Sequence, residues 1–197
     1  MALPTYNKNQ RRRTFEALPK DAYVVRIMDA REEQNKNNSG RHIKIAFDIA
    51  EGEYKNFYQE QFDRNTSEDR KWPNDAVYYL TVPEDNSPAY IYTNWNTFFA
   101  DLEDSNNGFV FSGDVKALKG KFVGGKFHIE QTENNGNVYD HTRLRWTCVA
   151  EDVRKGKAGK LPNDKLIGSG TTTKQTAATT DTSFMDIPEG SGDELPF

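Results

Sequence analysis

The residue types that could do chemistry in this 197-residue chain are scarce on the nucleophilic side and abundant on the cationic and aromatic side. There are three histidines, His42, His128 and His141, and one cysteine, Cys148. Each histidine falls on a strand-like segment beside lysine or arginine, and no Cys/His/Asp spacing points to a nucleophile or a metal triad. A structural zinc site of Cys/His type lacks the ligands it needs. Gly124-Gly125 is not followed by the Gly-Lys-Ser/Thr of a phosphate-binding loop. Thirty carboxylates bring some acidic pair together by chance and carry no argument. No enzymatic activity, metal or cofactor is expected, and a nuclease is the weakest reading. A single cysteine forms no intrachain disulfide, which fits a reducing compartment.

The cations and aromatics support a different chemistry. A protein that binds single-stranded nucleic acid lines a basic groove with rings, the cations meeting phosphates and the rings stacking on bases. Candidates for such contacts are Arg11, Arg12 and Arg13 near the N-terminus, Arg26, His42, Lys44, Lys126, His128, Tyr139, Arg143 and Arg145 on strand-like segments, and Phe57, Tyr58, Trp72, Tyr78 and Tyr79 between them. Taken singly, each has an ordinary explanation, because lysine, arginine and tyrosine are common on the wet face of a strand. The set is distinguished by the recurrence of cations on the exposed parity of four strands.

The elements that must position these residues follow from periodicity. Residues 22–30 (AYVVRIMDA) are β-branched and aromatic, which predicts a strand, followed by a polar turn over 31–41. Residues 42–49 alternate strictly, placing Ile43, Ile45, Phe47 and Ile49 on a core face and His42 and Lys44 opposite. Residues 54–62 read as a third strand, and 63–87 as irregular. Ser87 as N-cap and Pro88 at the first helical position open a helix whose Ile91, Trp95, Phe98 and Leu102 share one face. Asn106-Asn107-Gly108 stops it, and 115–120 add one turn. Residues 121–131 and 138–150 are the last two strands, joined by a loop over 132–137 containing Asn135-Gly136. In the final strand Val138, Leu144, Trp146, Cys148 and Ala150 share one parity, and Tyr139, His141, Arg143 and Arg145 the other. Leu144 and Trp146 are assigned to the core, and Gly124-Gly125 to a bulge or bend. Five strands with a helix between the third and fourth is the element order of the OB-fold, a partly open barrel that binds single strands or oligosaccharides. The expected fold class is thus mainly β, a five-stranded OB-like barrel.

Charge divides the chain. The formal net charge of −4 lies entirely in residues 168–197, which hold Lys174 against Asp181, Asp186, Glu189, Asp193 and Glu194. Residues 1–20 lean basic, and a second basic cluster, Arg154, Lys155, Lys157, Lys160 and Lys165, follows the last apolar segment. A neutral body with basic patches suits a polyanion. Residues 168–183 are Gly/Thr/Ala-rich and read as a linker. The expected organisation is a basic arm over 1–20, a binding domain over 21–167 and an acidic tail over 168–197. No apolar run approaches the ~20 residues of a membrane span, and residues 1–13 lack a signal-peptide apolar region.

The chain ends in Asp193-Glu194-Leu195-Pro196-Phe197. A terminal ring for an apolar pocket, a carboxylate for a cation at its mouth and two acids for a basic rim make a docking peptide. This ending, on a low-complexity linker behind a small β domain, resembles the acidic tip of bacterial and phage single-stranded DNA-binding proteins. Residues 15–25 (FEALPKDAYVV) and 118–126 (LKGKFVGGK) resemble phage-encoded proteins of the same role. One departure is that two acids precede Leu195 where the family often has three, which implies weaker docking. The resemblance implies sequence-nonspecific single-stranded DNA binding in replication, recombination or repair. It also implies partner proteins recruited through the tip, and location in the cytoplasm, a bacterial host's if the protein is phage-encoded. No membrane partner is expected, and a homo-oligomer is compatible with the sequence. The alternative from a different class is a β-barrel protein-interaction or carbohydrate-binding module.

Overall fold

A computed structural model describes residues 17–35 and 40–168. Five strands form one antiparallel sheet: β1 (Ala22–Gln34), β2 (Arg41–Ile49), β3 (Val77–Thr81), β4 (Phe122–Asn134) and β5 (Asn137–Cys148). Their order across the sheet is β3-β2-β1-β4-β5. Helices α1 (Phe57–Arg64), α2 (Ala89–Ser105) and α3 (Ala150–Arg154) pack around it. The architecture is mainly β, with a helix between the third and fourth strands as expected. The sheet is not closed: β3 and β5 are its edge strands and do not pair with each other.

The alternation in β2 does what it predicts. Ile43, Ile45, Phe47 and Ile49 are buried in one cluster with Val25, Ile27, Leu80, Phe98, Leu102, Phe127 and Leu144. β1 runs on into the predicted turn as far as Gln34, which pairs with Arg41. Cross-strand charges hold this polar extension, with Arg41 2.7 Å from Glu32 and Lys44 4.0 Å from Glu33.

The third strand is not where the aromatic run places it. Residues 57–64 form α1, and β3 is the five-residue VYYLT segment inside the stretch expected to be irregular. The cause is Asp48 on β2. Its carboxylate is fully buried and accepts from the backbone N–H of Tyr58 at 2.9 Å and Gln59 at 3.2 Å, and from Ile49 at 2.8 Å. It thus caps α1 from outside the helix, where Asn56 in a left-handed conformation makes no side-chain cap bond. Helix α2 begins one residue later than predicted, after Pro88, and Ser87 accepts from the Glu84 N–H instead of capping it.

The β4–β5 hairpin turns tightly. Asn135 (φ 52°) and Gly136 (φ 76°) are the two central residues between paired Asn134 and Asn137, as a type I′ turn requires. The loop is shorter than expected because Thr132 and Glu133 stay paired with Tyr139 and Val138. Gly124-Gly125 is regular strand, contrary to the expected bulge. A Cβ at Gly124 would lie 2.7 Å from Cys148 Sγ and 2.8 Å from its carbonyl oxygen, and one at Gly125 2.6 Å from Leu144 Cδ1. The register shift comes next. Lys126 pairs with Trp146 but Phe127 pairs with Leu144, so Arg145 is the extra residue on β5. This reverses the parity beyond Leu144. Leu144 stays in the core as assigned, whereas Trp146 does not: it is 47% exposed.

Candidate nucleic-acid interface

The bulge opens a cleft of about 200 Å³ lined by Tyr78, Asn94, Thr97, Lys126, Arg145, Trp146 and Thr147. Tyr78 comes from β3, Asn94 and Thr97 from α2, Lys126 from β4, and the remaining three from β5. The cleft therefore straddles the open side of the sheet between its two edge strands. Tyr78 is anchored by stacking on Phe98 of α2, with centroids 6.0 Å apart and planes at 22°. Burial raises the pKa of its phenol, opposed by the nearby Arg145 guanidinium. Thr147 donates to Asp101 of α2 at 2.6 Å, fixing helix against strand. Burial raises the pKa of the Asp101 carboxyl; the Thr147 hydrogen bond and the charge of Lys126 oppose this.

Lys126 and Arg145 have no ion-pair partner among the described residues. Arg143, their apparent equal in the sequence, is different. It reaches Glu130 at 3.0 Å and Asp75 at 3.4 Å. Asp75 lies two residues before β3, so this contact ties β5 to the far edge of the sheet. His141 joins it. Its Nδ1 lies 3.1 Å from both Asp75 oxygens and must be the donor, since a carboxylate only accepts. Its Nε2 lies 3.0 Å from the Thr132 hydroxyl. Together, Arg143 and His141 are struts across the opening.

The other candidates divide by burial. Tyr58 is 2% exposed and packs edge-on against Phe47, so it is core and cannot stack on a base. Phe57 and Trp72 pack against the same core, Trp72 donating its Nε1–H to the Phe47 carbonyl at 3.2 Å. His128 is buried, with Nδ1 3.2 Å from the Asn163 carbonyl, and burial lowers its pKa. Arg26 lies opposite Asp48 in the β1–β2 register, where its charge opposes the rise that burial gives the Asp48 carboxyl pKa. Cys148 is buried, its thiol pushed up to about 11 by burial, which makes it a poor nucleophile. Tyr139 is exposed near the hairpin tip, seven residues along β5 from Trp146.

A second cluster lies on the other face of β3. Tyr79 pairs with Lys44 across β2–β3 and is exposed, with the Lys44 ammonium 5.8 Å from its ring centre and the His42 ring edge-on at 5.2 Å. His42 is held through Nδ1, 2.7 Å from Asn35 Oδ1. Tyr78 and Tyr79 are adjacent, so successive β positions carry one ring to each face. Arg11, Arg12, Arg13 and the terminal Asp193, Glu194, Leu195, Pro196 and Phe197 lie outside the described residues.

Trp146, Asn94, Thr97 and Thr147 were not among the sequence candidates. Asn94 and Thr97 sit at i and i+3 on the polar face of α2, a signal that periodicity carries. Trp146 had no such signal, since only the bulge turns it outward. Among the described residues no helix is long and apolar enough to cross a membrane. No protein-family model and no curated protein matches the chain.

Proposed function

We propose that this protein binds single-stranded DNA with little sequence preference, in phage or mobile-element replication, recombination or repair. In this reading the sheet is a partly open OB-type barrel with its seam between β3 and β5, a view supported by the Asp75 bridges to His141 and Arg143 across that gap. The terminal Asp193–Phe197 peptide recruits partner proteins. The observation that carries the reading is one cleft holding an exposed indole, Trp146, beside two cations without carboxylate partners, Lys126 and Arg145. Rings of this kind stack on any base, and free cations meet phosphates, which gives affinity without sequence readout. A neutral sugar would also stack on Trp146 but would gain nothing from two cations that have no carboxylate within ion-pair distance among the described residues, so the cleft favours a polyanion over a glycan.

The test is titration of the full chain with oligo-dT, followed by tryptophan fluorescence, beside a matched duplex and a panel of neutral glycans. Trp146→Ala removes one stacked base, about 1–3 kcal/mol or roughly 5- to 150-fold in affinity. Binding to the single strand that quenches fluorescence and weakens with salt is expected. Absence of binding at about 50 mM salt, or equal affinity for duplex or glycan, overturns the proposal.

A further inference from the structure

The basic cluster after β5 looks uniform in sequence, but its charges are used differently. Arg154 is bound by Glu51 at 2.7 Å and Glu151 at 3.2 Å, Lys155 by Glu151 at 3.4 Å, and Lys165 by Glu130 at 3.0 Å. That leaves Lys157 and Lys160, both exposed and without an ion-pair partner among the described residues. They lie on the segment that leaves α3 and returns to β4, where Lys165 bonds to Ile129 and Gln131. The path turns at Gly156 (φ 65°) and Gly159 (φ 74°), a conformation that favours glycine. At Gly159 this strap crosses Lys126: a Cβ there would sit 3.7 Å from the Lys126 ammonium. The strap backbone thus approaches Lys126, which already lines the Trp146 cleft, at a point flanked in the chain by Lys157 and Lys160.

We propose that the strap over residues 157–160 is the phosphate-binding rail of the site. Lys157 and Lys160 continue the line of charge from Lys126, and hold the phosphodiester backbone of a single strand whose base rests on Trp146. This rests on the single-stranded DNA reading above and adds which element carries the backbone.

The experiment measures oligo-dT affinity of the full chain against salt for wild type, Lys157→Ala/Lys160→Ala, the charge-retaining Lys157→Arg/Lys160→Arg, and Lys155→Ala. Each phosphate contact on a single strand contributes about 0.7 to the slope of log affinity against log salt. Losing two lowers the slope magnitude by about 1.4, so the double alanine variant binds roughly 60-fold more weakly at about 50 mM salt and approaches wild type near 1 M. Fluorescence quenching at saturation is expected to stay at the wild-type level, since the stacking ring is intact. The arginine variant restores the slope, and Lys155→Ala, which removes a charge already paired with Glu151, leaves it unchanged. A wild-type slope in the double alanine variant, or an equal effect of Lys155→Ala per charge removed, overturns the rail while the stacking site stands. Failure of the wild-type chain to bind oligo-dT overturns the DNA reading itself.

Discussion

Arg143 and Arg145 stand two apart on β5 and alternate onto the same face by sequence, yet they should behave differently when removed. Arg145 has no carboxylate partner among the described residues and lines the cleft. Arg145→Ala is therefore expected to delete one phosphate contact, lowering the salt slope by about 0.7 and affinity for oligo-dT roughly 8-fold at about 50 mM salt. Fold stability should change by no more than about 0.5 kcal/mol. Arg143 spends its charge inside the protein. Its side chain is 36% exposed, so its pairs with Glu130 and Asp75 are screened, and each contributes no more than about 1 kcal/mol. Neither carboxylate is stranded by its loss, because Glu130 keeps Lys165 at 3.0 Å and Asp75 keeps His141 at 3.1 Å. Arg143→Ala is thus expected to cost about 1 kcal/mol of stability, well short of the roughly 3–5 kcal/mol of an orphaned buried charge, and to leave the salt slope unchanged. Urea denaturation and salt-dependent oligo-dT titration of the two variants separate these effects. If Arg143→Ala flattens the salt slope as much as Arg145→Ala, the assignment of one to the fold and the other to the ligand is wrong.

Four further outcomes are expected. Gly124→Ala places a methyl 2.8 Å from the Cys148 carbonyl oxygen, a backbone atom that cannot swing aside, and should cost about 1–3 kcal/mol in urea denaturation. Gly136→Ala, where nothing lies within 4 Å but φ is positive, should cost only about 1 kcal/mol from backbone strain. Asp48→Ala strips the acceptor from three backbone N–H groups and should destabilise by about 2–4 kcal/mol, while Asp48→Asn, which keeps one acceptor oxygen and relieves a carboxyl whose pKa burial has raised, should cost about half as much. Burial lowers the His128 pKa, so below the unfolded-state value of about 6.5 the unfolded chain binds the proton more readily than the folded one. Stability should accordingly fall as pH drops through that value, and His128→Asn should make urea midpoints measured at about pH 7 and pH 5 differ less than in wild type.

What the sequence reveals follows the range of the forces involved. The β2 strand, the α2 face of Phe98 and Leu102, and the Asn135-Gly136 turn are local: alternation, a 3.6-residue period and a demand for positive φ are each satisfied within a few residues. The α1 segment shows the opposite case. Residues 54–62 are rich in Tyr and Phe, which favour strands, yet the decisive interaction is two N–H bonds, from Tyr58 and Gln59, to Asp48, about ten residues upstream and inside the core. A helical spacing was nonetheless present, since Phe57, Tyr58, Gln61 and Phe62 fall at i, i+1, i+4 and i+5. The residues VYYLT satisfied the rule for a strand between breakers, with Pro73 and Pro83 on either side. Their brevity hid them, because five residues pair stably only when β2 is already there to receive them.

The site was half legible for the same reason. Lys126 and Arg145 follow from strand parity, but parity assumes a continuous register, and one inserted residue reverses it for everything beyond. At the bulge the core needs Leu144 against Gly125 and Phe127, and the alternation that would bury Leu144 would also bury Trp146. The Lys126–Phe127 step admits only one of the two. Leu144 goes in, where the missing Cβ of Gly125 leaves its place, and the larger indole goes out beside two cations. The same shift leaves Arg145 unpaired in the ladder and free to face Tyr78. A continuous register, with Arg145 opposite Lys126, would place Trp146 opposite Gly125 on the core face, a space that a methyl group already overfills at 2.6 Å. The bulge is therefore required by core packing, and the exposed ring with its adjacent charge follows from that requirement.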